Sequence, residues 1–138
     1  MNATRFPPAE LRVLVVDDEP DTAATLALLL TIGGHLVRTA ADGEAGLALA
    51  EQWPPDVVFL DYALTGGTDG RELALRLRER PGERRPLLVM LTGFGDAGHR
   101  ERARAAVDLY LVKPAEPNRL LSLLDRFGQL LDYAGRSA

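Results

Sequence analysis

The sequence predicts an α/β protein: a doubly wound five-stranded parallel sheet of order 2-1-3-4-5, flanked by five helices. Three observations carry that prediction. Four short runs are almost uninterruptedly apolar, Val13 to Val16, Val57 to Leu60, Leu87 to Leu91 and Leu109 to Val112, as strands covered by helices on both faces are. Stretches with apolar residues at three- and four-residue steps separate these runs, giving strict βα alternation and right-handed crossovers. Five strands and five helices with ordinary loops need roughly 120–130 residues, which nearly exhausts a chain of 138. A fifth run, His35 to Ala40, is mixed in polarity, and the chosen order puts it on an edge. Sequence alone leaves other orders open.

The elements follow in turn. The first run leads through Asp17-Asp18-Glu19 into a helical stretch carrying Leu26, Leu29 and Leu30, which Gly33 and Gly34 close. After the mixed run, Asp42 is placed to cap a second helix that ends before Trp53 and Pro54-Pro55. Asp69 followed by Glu72 starts a third helix, Gly70 to about Arg80, in the manner of a capping box. Asp96 is placed to cap the fourth, and Pro117 suits the first turn of the fifth. That last helix carries Leu120, Leu121, Leu124, Phe127 and Leu131, an apolar stripe at helical spacing. Residues 11–132 are read as one domain, with tails at 1–10 and 133–138.

Composition narrows the function. Twenty acids against sixteen bases give a net charge of -4, unsuited to coating nucleic acid or an anionic membrane. The absence of cysteine removes disulfides, thiolate metal sites and thiol nucleophiles. The opening MNATRFPPAE has no apolar signal region, and no apolar run approaches the ~18 residues of a membrane span. The expectation is a soluble, cytoplasmic protein. Of the sixteen bases fifteen are Arg and one is Lys, Lys113. Arg71, Arg76, Arg78, Arg80, Arg84, Arg85, Arg100, Arg102 and Arg104 form a cluster. Glu72, Glu79, Glu83 and Glu101 are interleaved with it, so solvated helix faces with local ion pairs are favoured over a nucleic-acid stripe. The chain leaves no room for a helix-turn-helix module, so any transcriptional output is expected to be indirect.

The decisive pattern is where the polar residues fall. Ligands of a doubly wound sheet bind beyond the carboxyl ends of its strands. The four apolar runs end in Asp17-Asp18-Glu19, Asp61, Thr92 and Lys113-Pro114. Singly, each is an ordinary turn or surface residue; together they deliver charge and a hydroxyl to one rim. Carboxylates crowded there ionise together only around a cation. A hard divalent ion with oxygen ligands, most simply Mg²⁺, meets that need, with Mn²⁺ as a substitute. A cation, an ammonium and a hydroxyl around one carboxylate form a cage for a transferring phosphoryl group. Asp61 is then the natural nucleophile.

The segments VLVVDDEPD at Val13–Asp21, VVFLD at Val57–Asp61, LTG at Leu91–Gly93 and YLVKP at Tyr110–Pro114 resemble the response-regulator receiver domain of two-component signalling. The resemblance covers residues 11–132 and implies the flavodoxin-like form of this fold. It implies that Asp61 accepts a phosphoryl group from a phosphohistidine of a histidine kinase or histidine phosphotransfer domain. It assigns Asp18, Asp61 and the backbone carbonyl of Ala63 to Mg²⁺, with Asp17 contributing through water. It assigns Thr92 and Lys113 to the phosphoryl group. Thr92 and Tyr110 become a switch pair that reshapes the surface of the fourth helix, fifth strand and fifth helix; the plain alternative for Tyr110 is a half-buried strand residue. That surface would meet a downstream protein or a second copy. A cis Lys113-Pro114 bond is expected.

Two departures from the family pattern stand out. The loop from Tyr62 to Gly70 looks one residue longer than usual, with Thr65 where Pro is common and Gly66-Gly67 in place of a stiffer stretch. Greater mobility is expected there. Residues near Ala63 and Phe94 control water access to the phosphorylated site in the family, so both are read as modulators of phosphate lifetime. Phe94 either shields the acyl phosphate or anchors Gly93-Phe94-Gly95, and shielding is preferred. Two alternatives make different demands on these residues. A haloacid-dehalogenase-like phosphatase needs Asp-x-Asp after the first strand, where this chain has Asp17-Asp18-Glu19-Pro20. A degenerate receiver acting as a constitutive binding module would lack the acceptor, the acids or the Lys, and all are present.

Overall fold

The computed structural model describes residues 10–64, 67–79, 85–93 and 97–137. Strands and helices alternate: β1 (Arg12–Val16), α1 (Pro20–Ile32), β2 (Leu36–Ala40), α2 (Gly43–Gln52), β3 (Val57–Asp61), α3 (Gly70–Glu79), β4 (Leu87–Thr92), α4 (Ala97–Arg104), β5 (Leu109–Val112) and α5 (Pro117–Ser137). The five strands form one parallel sheet of order β2-β1-β3-β4-β5. The mixed run is indeed an edge strand, and of β2 only Ala40 is buried.

Three of the apolar runs, β1, β3 and β4, are continuous because both faces of the sheet are covered there. The fourth, β5, is instead the other edge strand, half-buried and with Val112 46% exposed. Leu14, Val16, Val58, Leu60, Leu88 and Met90 point to one core, with Ala50 of α2, Leu73 and Leu77 of α3 and Ala103 of α4. Val13, Val15, Val57, Phe59, Val89 and Leu91 point to the other, with Leu30 of α1 and Leu120 and Leu124 of α5. The two-residue alternation of a strand is therefore real but invisible as polarity. Leu121, Phe127 and Leu131 of the predicted stripe flank this second core. Helix α1 departs from simple amphipathicity: Leu28 and Ile32 on its outer side are 60% and 73% exposed.

The helix ends follow the sequence signals where they are described. The Asp42 side chain accepts the Ala45 N–H at 2.8 Å, and Asp69 accepts that of Glu72 at 2.8 Å, each satisfying an orphan donor of a first turn. Gly33 caps α1, and Gly34 takes φ +100, a backbone region open to glycine. Helix α5 continues past residue 132 to Ser137. The N-terminal tail to residue 9, Thr65, Gly66, Arg80, Arg84, Phe94 and Asp96 lie outside the described residues, as does the side chain of Arg100.

At the amino ends of the strands, acids accept backbone N–H groups of neighbouring strands. Asp56 accepts the Arg12 N–H at 2.8 Å. Asp108 accepts the Leu88 N–H at 2.8 Å and pairs with Arg78 at 3.0 Å. Arg76 lies 3.4 Å from Glu44 and 3.9 Å from Glu72, so Arg76 and Arg78 behave as the ion-pair reading expects. On the β1–β2 side, Arg38 and Arg12 sit 4.8 and 5.9 Å from the ring centre of Trp53.

His35, at the α1–β2 junction, is 3% exposed; its Nδ1 accepts the Leu11 N–H at 3.3 Å. The ring proton therefore sits on Nε2, which has no partner among the described residues. Burial lowers the pKa below the usual 6.5, against the raising influence of Asp125 and Glu10. Because the folded pKa lies below the unfolded one, this residue costs nothing above about pH 6.5 and loses stability as the pH falls from there toward the folded value. His35→Asn keeps an acceptor for Leu11 without a titrating ring. Urea unfolding at pH 7 and pH 5 should show a smaller acid loss in the variant; equal losses would refute the assignment.

Candidate functional site

Three backbone devices build the rim beyond the carboxyl ends of the strands. Asp17 follows β1, and its N–H extends the ladder to the Ala40 carbonyl at 3.1 Å. Its Oδ1 accepts the Glu19 N–H at 2.9 Å, which fixes the carboxylate over the turn. Asp61 ends β3, and its Oδ1 accepts the Ala63 N–H at 3.1 Å. Lys113 follows β5, and its N–H donates to the Thr92 carbonyl at 2.7 Å, which continues the β4–β5 ladder and turns the side chain inward. The Lys113-Pro114 bond is cis, as the sequence reading expects.

The side chains meet. Lys113 Nζ lies 3.2 Å from Asp17 Oδ2 and 3.1 Å from Asp61 Oδ2. Asp17, Asp18 and Asp61 each offer one oxygen within 4.8 Å of the others. Asp17 is 7% exposed, while Asp18 and Asp61 are half-buried. Burial acts to lower the Lys113 pKa, but the hydrogen bond and charge of Asp61, then the charge and hydrogen bond of Asp17, outweigh it and raise the pKa above its usual value. The ammonium stays charged. Three carboxylates against one ammonium leave the rim negative, and hard oxygen donors at this spacing suit a divalent cation of the Mg²⁺ type.

The other sequence-derived residues are placed as follows. Thr92 ends β4 on the same rim and is 6% exposed. Ala63 is exposed, two residues beyond Asp61, and Glu19 is exposed at the start of α1. Tyr110 lies opposite Met90 in β5, half-buried against the core beneath α2, α3 and α4. Phe94 falls outside the described residues.

The sequence reading did not find what holds the Asp61 segment from behind. The Gly70 N–H donates to the Tyr62 carbonyl at 3.1 Å. A Cβ at Gly70 would collide with the Asp61 carbonyl oxygen and lie 2.7 Å from the Tyr62 Cα. Asp69-Gly70 reads in sequence only as a helix start, because the contact is between backbones. Asp56 and Asp108 were likewise missed, since each serves a neighbouring strand.

Comparison with known proteins settles the family. The sequence model of the response regulator receiver domain matches residues 13–125. The chain belongs to the response regulator receiver family. It is 36% identical over 121 residues to an uncharacterised 14.6 kDa protein of Leptolyngbya boryana, covering 86% of this chain and 91% of that one. It is 41% identical over 115 residues to the transcriptional regulatory protein TcrA of Mycobacterium tuberculosis, covering 83% of this chain and 44% of TcrA. The receiver thus spans less than half of that regulator. A putative response regulator from Chloroflexus aurantiacus is 33% identical with a TM-score of 0.78, covering 86% of this chain and 98% of that one. The place of this receiver domain is two-component signalling, which removes the phosphatase alternative. No helix among the described residues is long and apolar enough to cross a membrane.

Gly70 supplies a test of the rear support. Gly70→Ala should destabilise the receiver by about 1–3 kcal/mol through overpacking. Gly67→Ala should change stability by less than about 0.5 kcal/mol, because a Cβ there meets nothing within 4 Å. Urea midpoints of the two variants decide it, and equal shifts would refute the close contact.

Proposed function

We propose that this receiver accepts a phosphoryl group on Asp61 from a phosphohistidine of a histidine kinase or histidine phosphotransfer domain. The observation that carries the proposal is Lys113 Nζ bridging Asp17 and Asp61 while Asp18 completes a three-carboxylate cluster. An Asp61 carboxylate oxygen attacks phosphorus and forms the P–O bond. The P–N bond to the donor imidazole breaks, and its electron pair returns to the ring nitrogen, which takes a proton from water.

The residues fit a divalent cation. Asp18, Asp61 and the Ala63 backbone carbonyl would hold Mg²⁺, or Mn²⁺ in its place. Asp17, both of whose oxygens already accept hydrogen bonds, would act through water. When bound, the ion supplies positive charge to the carboxylate cluster and to the transferring phosphoryl oxygens. Lys113 pairs with the phosphoryl group as a compact point charge, and Thr92 donates its hydroxyl to it. The acyl phosphate adds about -1.5 to -2 charge. Thr92 moves toward it, Tyr110 follows, and the α4–β5–α5 surface is remodelled for a downstream protein or a second copy. Ala63 and Phe94 set how long the phosphate survives. Action in the cytoplasm, where kinase phosphohistidines are made, belongs to the same reading.

Incubation with a small phosphodonor and Mg²⁺ should add the mass of one phosphoryl group. Asp61→Asn or EDTA should abolish the gain; a metal-independent gain, or the same gain in Asp61→Asn, would overturn the proposal. Lys113→Arg keeps the charge but presents a planar fork. Its Asp61 should still take phosphate, while the NMR shift changes at Tyr110 that follow phosphorylation are lost. Normal shifts in that variant would deny Lys113 its special role.

A further inference from the structure

The proposed cation site draws on two loops, β1–α1 with Asp17 and Asp18 and β3–α3 with Asp61 and Ala63, so their spacing must be fixed. Helix α2 lies against both. On the β1 side, a Cβ at Gly46 would sit 3.0 Å from Val16 Cγ2, next to Asp17. On the β3–α3 side, a Cβ at Gly43 would sit 2.8 Å from Thr68 Cβ and 2.9 Å from the Thr68 carbonyl oxygen. The amino end of α2 is therefore seated directly on the limb returning from Asp61 to α3.

Thr68 is 2% exposed, and its hydroxyl donates to Glu44 Oε1 at 2.9 Å. Glu44 stands in the first turn of α2, where the helix dipole favours a carboxylate, and Arg76 of α3 holds the same oxygen at 3.4 Å. A buried hydroxyl thus ties a loop containing Gly66-Gly67 to a helix braced from two sides. Neither residue touches the carboxylate cluster in any described contact.

We infer that Thr68 and Glu44 are positioning residues that set the cation affinity of the Asp17-Asp18-Asp61 cluster by fixing the β3–α3 limb to α2. The inference rests on the function proposed above. It is tested on the full chain by calorimetric titration with Mg²⁺ alone, without phosphodonor, alongside thermal melting of the metal-free protein. Thr68→Val, which keeps shape and loses the donor, should raise the Mg²⁺ Kd about threefold to tenfold, and Thr68→Ser should restore it. Glu44→Ala should match Thr68→Val, and Glu44→Gln, which keeps an acceptor, should stay near wild type. The Thr68→Val/Glu44→Ala double variant should bind no more weakly than either single one, because both remove the same bond. An unchanged Kd in Thr68→Val, with or without a lower melting temperature, overturns the inference, as do multiplicative losses in the double variant. Wild-type protein that takes up no Mg²⁺ overturns the proposed site itself and this inference with it.

Discussion

One ammonium between two carboxylates organises the carboxyl edge of the sheet. Lys113 joins β5 to the ends of β1 and β3 through contacts of 3.2 and 3.1 Å. Half-removed from solvent, these contacts are stronger than exposed ion pairs and screened less by salt. They also leave the rim under-neutralised, since Asp18 brings a third charge to the same 4.8 Å space. That excess of negative charge is the feature on which the proposed cation site rests.

The opposite edge shows the contrast. Asp56 and Asp108 are also acids at strand ends, but each accepts an N–H near the start of a neighbouring strand, and Asp108 carries its own Arg78. Their charge is spent on finishing the sheet. The three-carboxylate cluster of Asp17, Asp18 and Asp61 lies at the other end of the sheet.

Much of this was legible in the sequence because burial on both faces writes strands as solid apolar runs and leaves the next polar residue conspicuous. Asp17, Asp61 and Thr92 stand out for that reason, and mixed polarity marked β2 as an edge. Lys113 follows an apolar run whose place at the opposite edge its composition did not reveal. Less could be read where backbone meets backbone. The seat of Gly70 on Asp61 and Tyr62 involves no side-chain pattern, and that of Gly43 on Thr68 leaves none on the glycine's side. The Thr68–Glu44 bond joins residues far apart in sequence, each of which passes for a turn or helix-start residue. Helix α1 was hard to orient because it is apolar nearly all round, so periodicity could not show that Leu28 and Ile32 face outward.

The pairing of Arg12 and Arg38 with Trp53 has an experimental consequence. Trp53 is the chain's single tryptophan, and its ring lies within reach of guanidinium groups from two adjacent strands, β1 and the edge strand β2. Peeling β2 from β1 would carry Arg38 away from Arg12 and change the polarity around the indole. Intrinsic tryptophan emission is therefore a gauge of the β1–β2 seam. It stands apart from the carboxylate rim, and a fluorescence melt would record the fraying of this edge.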